Sequence, residues 1–177
     1  MRSTGIVRIA PSSRYRHRGL PALEHKMDMS MRQQLSRPPQ SAEVVRILVA
    51  DDDNDTRETL RLILEETNCP LIEATNGADV LDALRTSPHR LIVLLDLLMP
   101  LVGGEAVLRA VLAEPHLIHQ HAYIVLTAAD DQLISTVEPF QSRMPLRIVQ
   151  KPFDVDDVLA AVRQAAAYLG VSLPAKS

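Results

Sequence analysis

Three consecutive aspartates, Asp51-Asp52-Asp53, a further aspartate at Asp96, a threonine at Thr127 and a lysine at Lys151 are the residues of this chain best equipped for chemistry. Each group follows a short apolar run: residues 44–50, 91–95, 123–126 and 146–149. Three carboxylates gathered in one cleft would repel and raise one another's pKa unless a cation neutralised them. A donor set of oxygens without nitrogen or sulfur favours a hard ion, and Mg²⁺ binds through a few carboxylates, waters and substrate phosphate. Lys151 adds a movable point charge suited to a phosphate oxygen, and Thr127 adds a hydroxyl donor. A carboxylate can itself be the nucleophile in phosphoryl transfer, giving an aspartyl phosphate. If the fold joins these four ends, the chemistry they support is acyl-phosphate formation on Mg²⁺.

The elements that would position them alternate along the chain. Residues 44–50 form a nearly continuous, β-branched apolar run, as expected of a strand covered on both faces. Asp53 to Asp55 offer N-cap chemistry, and Leu60, Ile63, Leu64 and Thr67 recur at helical spacing. Residues 71–74 make a brief second strand, and Asn76-Gly77 punctuates before a stripe of Val80, Leu81 and Leu84 that Pro88 stops. Residues 91–95 are the third strand. Gly103-Gly104 precede a helix carrying Val107, Leu108, Val111 and Leu112, closed at Pro115. Residues 123–126 are the fourth strand, and Leu133, Ile134 and Val137 indicate a short helix ended by Pro139. Residues 146–149 are the fifth strand. The last helix carries Val155, Val158, Leu159, Val162, Ala165, Ala166 and Leu169, with Gly170 as its stop. Five strands alternating with five helices imply a parallel sheet with helices on both faces. Such sheets bind ligands at the carboxyl ends of their strands, beside the topological switch point, where the acidic groups fall.

Taken singly, each residue has a plainer reading. An aspartate after a strand often only caps a helix, which suits Asp53 or Asp55, but Asp96 is followed by Leu97-Leu98-Met99-Pro100 rather than a helix. Thr127 alone would be a loop hydroxyl and Lys151 alone a surface charge. The joint arrangement distinguishes them.

Residues 46–169 resemble the receiver domain of two-component response regulators, of the chemotaxis-regulator-like single-domain type. RILVADDDNDTR is similar to that family's first strand and acidic turn, LIVLLDLLMP to its third strand and phosphoacceptor, VLTA to its fourth strand, and KPF to its lysine-proline turn. The pieces stand in order, with 44 residues separating Asp52 from Asp96. The resemblance implies a flavodoxin-like, doubly wound five-stranded sheet. It makes Asp96 the phosphoacceptor and Asp52 and Asp96 direct Mg²⁺ ligands. Asp51 assists through water, and the backbone carbonyl of Leu98 completes the site. Thr127 and Lys151 contact the phosphoryl group, with a cis Lys151-Pro152 bond. It also implies a sensor histidine kinase or phosphotransfer protein as donor, an unknown protein target downstream, and a signalling switch rather than an enzyme with a released product.

The sequence departs from that family in several places. Leu101-Val102-Gly103-Gly104 lacks the acidic residue common before the last glycine. The stretch from Thr127 to Lys151 is long and lacks the usual GA-containing turn, which leaves the fourth helix open. Ile148 stands where receivers often carry an aromatic residue. Leu98 and Ala129, two beyond Asp96 and Thr127, cannot hydrogen-bond a water, so the phosphoryl group is expected to be long-lived.

Composition bounds the rest. The chain of 177 residues is 46% apolar, ample for a core, while its one cysteine, Cys69, excludes an internal disulfide and points to a reducing compartment, the cytoplasm. Cys69 reads as a small buried apolar residue. No apolar run approaches the ~20 residues of a membrane helix, and aromatics at 3% argue against a stacking platform for single strands. Residues 1–45 carry a net charge of +5 and the remaining 132 a net of −8. The expected division is a disordered basic extension over 1–43, a receiver domain over 44–171 and a short tail over 172–177. The extension reads as functionally silent, with Met27, Met29 and Met31 as alternative starts, ahead of a nucleic-acid or membrane-surface arm or a transit peptide. No DNA-binding domain is expected after Gly170. Glu114, His116, His119 and His121 lack the i, i+4 histidine pair of a helical metal site and are read as solvated loop residues.

Two rival functions remain at this stage. One is a phosphorylation-independent binding module of the same fold. The other is a Mg²⁺-dependent Asp-nucleophile phosphatase of the haloacid dehalogenase type. Asp51, Asp53 and Asp55 match its D-x-D-x-[TV] spacing only until Asp55 fails the last position.

Overall fold

The computed structural model describes residues 45–128 and 130–174. The expected disorder of residues 1–43 and the role of Ala129 lie outside the described residues. Five strands, β1 (Arg46–Ala50), β2 (Leu71–Ala74), β3 (Leu91–Asp96), β4 (Ala122–Ala128) and β5 (Leu146–Lys151), form one parallel sheet in the order β2-β1-β3-β4-β5. Around it lie α1 (Asn54–Leu64), α2 (Gly77–Thr86), α3 (Gly104–Ala113), α4 (Pro115–Gln120), α5 (Asp131–Gln141) and α6 (Val155–Leu169), with a 3₁₀ turn at Glu65–Thr67 after α1.

The helices divide between two cores, one on each face. Alternation along the strands sends Ile47, Val49, Ile92, Leu94, Ile124 and Val149 to the face covered by α1 and α6. It sends Leu48, Ala50, Val93, Leu95, Val125 and Leu146 to the face covered by α2, α3, α4 and α5. β3 is central, and all six of its residues are buried. That is why its sequence, LIVLLD, is continuously apolar up to the aspartate.

Side-chain capping sets three of the helix starts. Asp53 accepts from the Thr56 amide to open α1, Asn76 from Ala78 and Asp79 to open α2, and Asp130 from Gln132 and Leu133 to open α5. Gly170, at φ 67°, closes α6 in the left-handed region.

Two expectations are corrected here. Pro139 does not end α5; it lies inside the helix, which runs on to Gln141. Pro139 is exposed, so water can serve the carbonyl its missing N–H leaves free, while Val137 and Phe140 on the buried stripe gain by continuing the helix. Residues 115–120, read as a loop, form α4 with Pro115 in its first turn and Leu117 fully buried. Among the described residues, six helices thus replace the expected five.

The same region corrects the histidine reading. His116 and His119 are exposed on α4, but His121 is fully buried. Its Nδ1 accepts from the Leu91 amide at 3.0 Å, which leaves the ring proton on Nε2, facing the Leu84 carbonyl at 3.1 Å. The imidazole therefore ties the end of α2 to the start of β3, one residue before β4 begins to pair at Ile92–Ala122. Burial pushes its pKa down to about 4. Glu114 pairs instead with Arg85 at 2.6 Å.

Candidate functional site

Register accounts for how the acidic groups meet. β1 and β3 are neighbours with Ala50 opposite Leu95, so Asp51 and Asp96 leave the sheet side by side on the α1/α6 face. β4 lies beyond β3 and β5 beyond β4, with Ala128 opposite Lys151, and the alternation of β5 aims Lys151 to that same face. The chain turns to opposite sides of β1 to form β2 and β3, so this point is the switch of the doubly wound sheet.

The Lys151 ammonium donates to Asp51 Oδ2 at 2.7 Å and to Asp96 Oδ1 at 2.8 Å. The remaining oxygens of both carboxylates accept from the local backbone: Asp51 Oδ1 from the Asp53 amide at 2.9 Å and Asp96 Oδ2 from the Leu98 amide at 2.8 Å. Asp51 and Asp96 are buried and Asp52 is exposed, yet one oxygen of each lies within 4.8 Å of the others. Burial pushes the Asp96 carboxyl above its usual range, against the pull of the Lys151 ammonium. Burial also opposes the charge on Lys151, but the two carboxylates it bonds outweigh that and hold its pKa up.

One ammonium faces three carboxylates, and the donors are all oxygen. That set fits a hard divalent cation better than a transition metal selected by nitrogen or sulfur. Among the described residues, this is where three acidic side chains come close enough to share an ion.

The other expected residues divide. Thr127 is buried at the end of β4, but its hydroxyl donates to the Ala128 carbonyl at 3.2 Å rather than into the acidic group. Its position on β4 gives it the opposite side of the strand from Leu126. The Leu98 side chain is 63% exposed beside Asp96, and Leu101, at φ 65°, is 90% exposed three residues on. Gly104 starts α3 close under the same loop, where a Cβ would stand 2.3 Å from the Asp96 carbonyl. Any side chain there would push the third strand's end out of place. The Lys151-Pro152 bond is cis. Ile148 is half-buried and packs on the second core. Asp53 spends its carboxylate on the Thr56 amide and hydroxyl, at 2.9 and 2.6 Å, and so serves α1 rather than the acidic group.

Arg57 escaped sequence reasoning. Its guanidinium donates to the carbonyls of Asp51 and Asp52, to Asn54 Oδ1 and to Glu73. The available signal was an arginine one turn into the helix after the acidic triplet, since helical side chains lean back toward the N-terminus.

The response regulator receiver domain model matches residues 47–163. Over 122 residues the chain is 28% identical to the DNA-binding transcriptional regulator NtrC of Escherichia coli, a match covering 69% of this chain and 25% of that protein. It is 30% identical over 138 residues to the transcriptional regulatory protein ResD of Bacillus subtilis, covering 75% of this chain and 55% of ResD. The chain thus spans about a quarter to a half of these curated relatives. Among solved structures, a CheY-like response regulator receiver domain protein from Methanospirillum hungatei is similar at 27% identity and a TM-score of 0.54, over 71% of this chain and 94% of that one. The signal receiver domain of an HD domain-containing protein from Pseudomonas fluorescens matches in fold at a TM-score of 0.64 and 20% identity, over 76% of this chain and 95% of that one.

Proposed function

The chain belongs to the response regulator receiver domain family, and from that premise we propose that it is a phosphorylation-switched signalling protein whose phosphoacceptor is Asp96. The observation that carries this reading is the Asp96 carboxylate held 2.8 Å from the Lys151 ammonium, in a three-carboxylate group with Asp51 and Asp52. Asp52, Asp96 and the Leu98 carbonyl would hold Mg²⁺ directly, and Asp51 would assist through water. Bound there, the ion would supply charge neutralisation for the transferring phosphoryl oxygens.

An Asp96 oxygen attacks phosphorus in a phosphohistidine of a sensor kinase or phosphotransfer protein. The P–N bond breaks, an acyl P–O bond forms, and the departing imidazole takes up a proton. The Leu98 amide fixes the second oxygen of Asp96, which limits the rotation of the attacking carboxylate. Lys151 then exchanges its hold on the carboxylate for the new phosphoryl oxygen, and the Thr127 hydroxyl turns from the Ala128 carbonyl to donate to another. The signal passes to a protein target in the cytoplasm.

Incubation with acetyl phosphate and Mg²⁺ tests the reading by intact mass. One hydroxylamine-labile phosphate is expected in the native chain and none in Asp96→Ala. Release of free phosphate from small esters without a retained label would favour the phosphatase reading instead, and a native chain that accepts no phosphate would favour a binding module.

A further inference from the structure

Asp51 and Asp96 are each fixed through both carboxylate oxygens, by Lys151 and by a loop amide. Asp52 is not. It is exposed, and among the described residues no donor reaches its carboxylate. The direction in which Asp52 presents its oxygens is therefore set by the main chain of the loop between β1 and α1. That main chain leaves the sheet at Asp51, whose amide still bonds the Ala74 carbonyl of β2. The next two carbonyls, of Asp51 and Asp52, are both bound by one atom, Nη1 of Arg57, at 3.0 and 3.2 Å.

The rest of that guanidinium is equally committed. Nη2 donates to Asn54 Oδ1 at 3.0 Å and Nε to Glu73 Oε2 at 3.2 Å, and the side chain is 11% exposed. Glu73, on β2, is itself anchored by Arg61 and is held below the usual carboxylate range chiefly by that hydrogen bond. The chain of contacts runs from Glu73 on the edge strand through a planar fork to two successive carbonyls, and ends at the carboxylate of Asp52.

From this geometry we infer that Arg57 is a positioning residue for the divalent-cation site, fixing the acidic loop so that Asp52 can ligate, with Glu73 orienting Arg57. The inference rests on the reading of Asp51, Asp52 and Asp96 as that site. Arg57 touches neither the ion nor the phosphoryl group. Its charge would by itself repel a cation, so its effect as a bare charge and its effect as a brace have opposite signs. Removing the charge alone would tighten cation binding. Removing the brace weakens it, on the order of tenfold, as for other groups that orient ligands from behind.

The test is Mn²⁺ binding to the full chain, read from free Mn²⁺ by electron paramagnetic resonance, with Mg²⁺ in competition. Arg57→Gln is expected to raise the Kd on the order of tenfold. Arg57→Lys keeps the charge but not the planar fork and is expected to fall short of native affinity, and Glu73→Gln to weaken binding less than Arg57→Gln does. Circular dichroism establishes that each variant is folded at the temperature used. If Arg57→Gln does not fold, Arg57→Lys and Glu73→Gln carry the test. Folded variants that bind Mn²⁺ as tightly as the native chain, or more tightly, overturn the inference and leave the phosphoacceptor reading standing. A native chain that binds no Mn²⁺ overturns the cation site itself.

Discussion

Asp52 and Asp53 are adjacent, share a chemistry and do different work. Asp53 lies at the start of α1 with its carboxylate on the Thr56 amide and hydroxyl, while Asp52 presents an oxygen to Asp51 and Asp96. Asp52→Ala should therefore weaken Mg²⁺ binding roughly tenfold or more, whereas Asp53→Ala should leave it nearly intact and lower the melting temperature through loss of the cap. Metal titration and thermal melts of the two variants check this, and equal metal affinities would contradict it. His121 makes a second prediction at the same scale. Its folded pKa of about 4 lies below the ordinary 6.5, so the folded chain resists a proton that the unfolded chain accepts. The stability this contributes is complete above about pH 6.5 and is lost as the pH falls toward 4, to a total of about 3 kcal/mol. Urea unfolding across that range should show the decline in the native chain and a flatter profile in His121→Gln, whatever its absolute stability. Sequence alone brought out Asp51, Asp52, Asp96 and Lys151 because each ends an apolar run, and parallel register then makes them neighbours. It misread His121 as a solvated loop residue because a histidine that satisfies one amide and one carbonyl leaves no periodic trace. It missed Arg57 because that side chain acts on main-chain carbonyls, which carry no residue type.

At the scale of elements, the strands were legible because burial on both faces demands continuous apolar runs, and β3 is the extreme case with six buried residues. The helices with a single buried stripe, α1, α2, α3 and α6, were legible from spacing. Those that were misjudged contain proline. Proline was taken as a terminator at Pro139 and as a loop marker at Pro115, but an exposed proline within a helix is tolerated when its buried neighbours gain, and proline in a first turn favours one. The loop from Asp96 to α3 was read for its chemistry and not for its backbone. There Leu101 adopts φ 65°, unusual for a branched side chain, with 90% of its surface exposed and little packing in return. Leu101→Gly should raise stability by about 0.5–1 kcal/mol, the relief of the left-handed geometry exceeding the added entropy of the unfolded chain. Chemical denaturation measures it, and a loss of stability would mean that the exposed leucine packs in a way its surface denies.

Over the whole molecule, the charge division between residues 1–45 and the rest is the largest feature that the site does not use. The two cores close on the described residues, with Val171 and Leu173 after α6 packing against the first of them. Residues 1–43 offer no apolar stripe with which to dock, so their deletion should leave the melting temperature and the extent of phosphorylation nearly unchanged. A large drop in either, by calorimetry or by intact mass, would make that segment part of the working structure.

The central claim is that one carboxylate, that of Asp96, becomes an acyl phosphate. Borohydride reduces an acyl phosphate to an alcohol, which turns the modified aspartate into homoserine at its own position in the chain. After treatment with acetyl phosphate and Mg²⁺ followed by borohydride, peptide mapping should find homoserine at position 96 alone, and no homoserine when Mg²⁺ is withheld. Homoserine at position 51, 52 or 53, or an unmodified Asp96 in a chain shown to retain phosphate, would contradict the account.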